Sequence, residues 1–137
     1  MEVTAAEVAR IPPRNLRVPR AEFAAVLAAA ERRAREQGER GVTDWYAGGV
    51  AITCRWMAGV VVRPPSGSRY LATARISGRI EAYEELIEEE FLAAEVLDLR
   101  WPELLTRRPG WCESVRATLR WAWRHDGPPL SVEPAAE

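Results

Sequence analysis

The sequence predicts an all-α fold, a single-domain helical bundle of about four main helices. Three observations carry that prediction. Apolar residues recur every three to four positions along four long segments, and Pro and Gly punctuate the chain between them. One segment, near 43–60, is apolar nearly all round, as a helix must be when other helices surround it. A length of 137 residues is enough to bury one core without metals or disulfides. The domain is expected to span 1–127, followed by a polar, disordered tail over 128–137.

Taken in order, Thr4 and Glu7 have capping-box spacing, which predicts a short first helix ending before Pro12 and Pro13. Pro19 then opens a helix near 20–37. Its buried face reads Phe23, Val26, Leu27, Ala30 and Ala34, and its wet face holds Glu22, Arg32, Arg35 and Glu36. Thr43 is a candidate cap for the second main helix, near 43–60, with Trp45, Tyr46, Val50, Ile52, Cys54, Trp56 and Met57. Extended through Val62, this run reaches only the lower limit for a membrane span, and Arg55 at its centre would cost about 2.5–3.5 kcal/mol on insertion. No membrane span is expected.

Residues 63–68 are a turn by composition, and Val60–Val62 with Tyr70–Thr73 form a candidate short β-hairpin near 60–74. A long acidic helix follows, near 79–98, with Ser77 as its cap and Tyr83, Leu86, Ile87, Phe91, Ala94 and Leu97 as its buried side. Trp101-Pro102 interrupts it, a short helical turn covers 102–107, and Arg108-Pro109-Gly110 breaks the chain again. A last helix near 110–125 stops at Gly127-Pro128-Pro129.

The net charge of −1 conceals segregation. By segment the formal charge is +2 over 1–40, +4 over 41–80, −8 over 81–103, +3 over 104–127 and −2 in the tail. Every basic residue is Arg, a composition that GC-rich coding produces whatever the function. Cys54 and Cys112 lie inside apolar helical patterns, far from metal-ligand spacing, and read as free buried thiols of a reducing compartment. With no apolar leader in the acidic first residues, a cytoplasmic location is expected. His125 beside Asp126 suits the end of a helix, where a positive charge opposes the dipole. With one His and no Gly-rich phosphate loop, no catalytic constellation and no cofactor is called for.

On a helical wheel Glu84, Glu88, Glu95 and Asp98 share one side of the acidic helix, with Glu81 and Glu85 nearby. The pattern Glu84-Glu85-x-x-Glu88, then Glu95-x-x-Asp98, is similar to the EExxE and ExxD motifs of the MazG-like all-α nucleotide pyrophosphohydrolases. That resemblance implies a Mg²⁺ site for phosphate-ester chemistry on Glu84, Glu85, Glu88 and Glu95. Here six residues separate the two motifs on one helix, whereas the family places them on facing helices. Glu84 and Asp98 would stand about 21 Å apart at about 1.5 Å per residue.

Two charges sit where apolar side chains are expected. Glu90 projects among Tyr83, Leu86, Ile87, Ala94 and Leu97, and Arg55 is the one cation of the central helix. A buried carboxylate must be paired, protonated or functional, and Arg55 and Glu90, with Asp44 as a candidate third member, are expected to form a polar core contact: an ion pair fixing register, or a pocket for a small molecule or nucleotide. Asp44, Ala47, Gly48, Ala51 and Arg55 share a stripe whose small residues let a neighbouring helix approach.

In the last helix Arg116, Arg120 and Arg124 form a basic stripe flanked by Trp121 and Trp123, a candidate binding surface, while Trp111, Val115, Leu119 and Ala122 face the core. Basic groups beside aromatics suit phosphates and bases. They equally suit the acidic helix of a second copy. The function expected from sequence is a non-enzymatic protein-binding module of the accessory, adaptor or antitoxin kind. Its partner is another protein or a second copy of itself, ahead of a Mg²⁺-dependent nucleotide hydrolase and of nucleic-acid binding.

Overall fold

The structure is a computed structural model that describes residues 5–59, 61–62, 70–71, 82–126 and 130–132. Its class is all-α. After α1 (Ala5–Ala9) and a 3₁₀ turn at Pro13–Asn15, helix α2 runs Arg20–Glu39, entered through Pro19, whose carbonyl accepts the Phe23 amide at 3.0 Å. Helix α3 covers Trp45–Ala58. Asp44, rather than the expected Thr43, is its cap, and Oδ1 accepts the Ala47 amide at 2.9 Å. Gly59 ends α3 with φ 69°, a left-handed conformation that costs glycine little.

The central position expected of α3 is observed: it packs most extensively on α7 (Trp111–Leu119) and α2, and Val50, Cys54, Trp56 and Met57 are fully enclosed. Close approach depends on Gly49. A Cβ there would lie 1.9 Å from Ser114 Oγ, whereas one at Gly48 would meet nothing within 4 Å. No helix among the described residues is long and apolar enough to cross a membrane.

Val61–Val62 and Tyr70–Leu71 pair antiparallel, Val61 opposite Leu71 and Val62 opposite Tyr70. Of the hairpin expected near 60–74, these four residues make a ladder too short to form a layer, and the rest lies outside the described residues. So does Ser77, the expected cap of the acidic helix. That helix, α4 (Glu84–Glu95), begins later than expected, because Ala82 and Tyr83 are non-helical and the Ala82 carbonyl is held by Asn15. Tyr83, expected to be buried, is 47% exposed. The helix breaks at Val96, and α5 (Leu97–Arg100) and α6 (Leu104–Arg107) lead to α7.

Helix α7 ends in a π turn, Arg120–Arg124, where the His125 amide donates to the Arg120 carbonyl five residues back. The wider turn puts Trp121, Ala122 and Trp123 all on the buried side. Trp121 stacks nearly parallel to Phe23, centroids 6.1 Å apart. Of the segment expected to be a disordered tail, Val132 is buried in the core and Leu130 packs against it, and 133–137 lie outside the described residues.

Candidate functional site

The acidic face of α4 and the basic stripe of α7 lie side by side and neutralise each other. Arg116 reaches Asp98 at 2.8 Å, and Arg120 grips Glu95 through two hydrogen bonds of 2.8 and 2.6 Å. Arg124 pairs with Glu88, whose other oxygen accepts the Trp123 indole N–H at 2.7 Å. The hydrogen bonds from Arg120 hold the Glu95 carboxyl below the usual carboxylate range. Trp121 and Trp123, expected at the surface, are buried by the π turn. Three guanidiniums that already hold carboxylates have less to offer a phosphate chain or a second molecule.

The same pairing disperses the acids that resemble a Mg²⁺ site. Glu88 and Glu95 are committed to Arg124 and Arg120, and Glu84 stands 3.7 Å from Arg17. Among the described residues no group of three or more His, Cys, Asp or Glu is placed to hold a metal ion.

At the expected polar contact, Arg55 has a partner on α2. Arg55 Nη2 lies 2.6 Å from Glu31 Oε2, on α2. Asp44 stands at the other end of α3, where it caps the helix and accepts from Arg33 Nε at 2.8 Å. Glu90 is buried, at 2% exposure, and has an interaction of its own. The physical reason lies in α2: Glu31 follows Leu27 by four residues, so it faces α3 with Phe23, Leu27 and Ala30. Burial raises the Glu31 carboxyl above its ordinary value, against the pull of Arg55.

Burial also pushes both thiols up, Cys54 the more strongly, so neither is a thiolate nucleophile at neutral pH. His125 is exposed and sits in the left-handed conformation just after α7, φ 52°. It shares a shallow surface depression with Arg17, Glu88, Trp123 and Arg124.

What the molecule leaves open is elsewhere. Among the described residues the exposed large apolar side chains include Leu92, Val96, Leu99, Trp101 and Leu105, with Leu99 the most open at 79%. Upstream on α4, Glu85 and Glu89 are exposed, and downstream so are Arg100 and Arg107. Glu85, Glu89 and Leu92 recur at four and three along one face of α4, Val96 stands at the break that ends this helix, and Leu99 follows on α5, so the exposed strip passes from one helix to the next. That spacing was present in the sequence. The inward face of α4 carries the longer apolar pattern and masks it.

Two clefts flank Arg108. One, of about 410 Å³, lies between the end of α2 and the start of α3, and the other, of about 290 Å³, lies against α5 and α6. Arg108 and Trp111 line both. No protein-family model, curated protein or solved structure matches the chain.

Proposed function

We propose that the chain is a helical protein-binding module of the accessory kind, and that the partner its open face fits is a second copy of itself. The observation that carries this is the exposed seam Glu85, Glu89, Leu92, Val96, Leu99, acidic where it starts, apolar in its second half and followed by Arg100 and Arg107. A twofold axis through such a strip sets the acidic end of one copy against the basic end of the other and buries the leucines between them. An isologous contact requires that kind of self-complementarity. Leu92, Val96 and Leu99, set around the break between α4 and α5, are the apolar part of the strip, and burial of apolar surface stabilises a pair by roughly 25 cal/mol per Å². The intramolecular pairing of α4 with α7 supports the same assignment, since among the described residues it leaves this outward face exposed.

The experiment is sedimentation or light scattering across a concentration series. The chain is expected to show a monomer–dimer equilibrium that Leu99→Glu shifts to monomer. Glu85→Arg with Glu89→Arg should also weaken the dimer, and adding Arg100→Glu with Arg107→Glu should restore it. A strictly monomeric chain at the highest soluble concentration, or a dimer indifferent to Leu99→Glu and the charge reversals, removes the proposal.

A further inference from the structure

The Arg108 guanidinium lies over two indole rings, 5.4 Å from the Trp45 centroid and 5.2 Å from that of Trp111. Arg33, Arg55, Arg116, Arg120 and Arg124 each hold a carboxylate. No ion pair to Arg108 is found among the described residues, so its cation is fixed by aromatic faces alone and its N–H edges stay available. Such stacking orients a guanidinium while leaving its hydrogen-bonding rim open to an anion.

Arg108 stands at the mouth of the larger cleft, whose apolar wall includes Ala34, Val42, Trp45, Gly48 and Ile52. The space is suited to an organic body of modest size. Asp44 is the carboxylate that also lines it, and that carboxylate is already used: one oxygen caps α3 and the other accepts from Arg33. The charge left over in the cleft is therefore positive. A cation would also find the indole faces taken by Arg108. Gly48 keeps the wall low, since it has no side chain and a Cβ built there would touch nothing.

We infer that this cleft is a binding site for a small organic anion with an apolar, planar body, its charge on Arg108 and its body against the wall of Ala34, Val42, Gly48 and Ile52 beside the two indoles. A carboxylate suits the fork of N–H donors, and the apolar wall excludes small inorganic anions as sufficient ligands. The site is separate from the proposed dimer seam, which uses Leu92, Val96 and Leu99.

Three probes test it: naphthoate, the neutral naphthamide of the same shape, and the cation benzyltrimethylammonium. Binding is read from the indole N–H resonances of Trp45 and Trp111 in the full chain. Naphthoate is expected to shift both resonances saturably at millimolar concentration. Naphthamide should bind at least tenfold more weakly, and the ammonium should leave both resonances unmoved. Arg108→Gln should reduce naphthoate affinity about tenfold, as for one lost charge-assisted contact. Gly48→Leu, which fills the cleft from a position with free space, should abolish binding while α3 remains helical. Equal affinity for naphthoate and naphthamide, stronger binding of the ammonium, or naphthoate binding untouched by either substitution would overturn the assignment.

Discussion

Arg55 and Glu31 form a buried ion pair between α3 and α2, with side chains only 11% and 5% exposed. Removing one partner from such a pair costs about 3–5 kcal/mol, because the other charge is left desolvated. Arg55→Met is therefore expected to destabilise the chain by that order at neutral pH. The sign of the pH dependence follows from Glu31. Its carboxyl is raised by burial in the folded state, so the folded state holds the proton more tightly than the unfolded one, and stability falls as pH rises through the folded value. Without Arg55 the carboxyl rises further, and the window of lost stability widens upward. In urea melts the deficit of Arg55→Met should shrink as pH falls through the raised Glu31 values of the two folded proteins, and adding Glu31→Met should restore stability at neutral pH. A deficit independent of pH would place the energetic role of Arg55 somewhere other than its pair with Glu31.

Asn15 is the second buried polar anchor, 1% exposed, and its Nδ2 donates to the Met57 carbonyl at 2.8 Å and the Ala82 carbonyl at 2.9 Å. One amide thereby ties the end of α3 to the entry of α4. Asn15→Ala leaves two carbonyls without that donor and is expected to cost about 1–3 kcal/mol in chemical denaturation. Asn15→Asp sets a carboxylate against two carbonyl oxygens, so it should cost more at neutral pH and recover part of the loss in acid. Equal losses for the two variants at every pH would show that shape alone matters at this position.

The two adjacent glycines of α3 should respond in opposite directions. At Gly49 an added methyl collides with Ser114 Oγ at 1.9 Å and crowds Trp111 at 3.1 Å, and overpacking of this kind costs about 1–3 kcal/mol. Helix propensity returns only up to about 1 kcal/mol. Gly49→Ala should lower the melting temperature, whereas Gly48→Ala, with free space, should raise it. Thermal melts of the two single variants decide the matter, and a rise for both would mean that α3 and α7 can separate without cost.

These residues show why part of the molecule was legible before its structure and part was not. The 3.6-residue period identified α2, α3 and the buried side of α4, because an apolar stripe has few ways to leave water. It also identified Glu90 and Arg55 as charges on apolar faces. It missed Glu31 as the partner of Arg55, because a lone glutamate one turn past Leu27 looks like any solvent-facing residue until the neighbouring helix is known. Extrapolating a regular 100° step through residues 120–124 put Trp121 and Trp123 at the surface, and the π turn broke that step. Charge segregation was visible, but its satisfaction within one chain was not, since sequence distance says nothing about whether α4 and α7 meet. The seam from Glu85 to Leu99 and the isolation of Arg108 both depend on knowing which charges are already paired.

The α4–α7 pairs make a final prediction about their own worth. Arg120 and Glu95 are joined by two hydrogen bonds, yet their side chains are 49% and 28% exposed, so water screens them. A double-mutant cycle with Glu95→Gln and Arg120→Gln should give a coupling of about 0.2–1 kcal/mol, falling with added salt. Because the Arg120 hydrogen bonds lower the Glu95 carboxyl, the unfolded state binds its proton first as pH drops. The contribution is then fully present above the ordinary glutamate range and lost as pH falls through the folded value. Glu88 should couple more strongly than Glu95, since it answers both Arg124 and the indole of buried Trp123, and part of its interaction is shielded from solvent. Trp123→Phe combined with Glu88→Gln isolates that part. If the Glu88 cycle proves as salt-sensitive as the Glu95 cycle, the indole contact contributes nothing beyond surface charge.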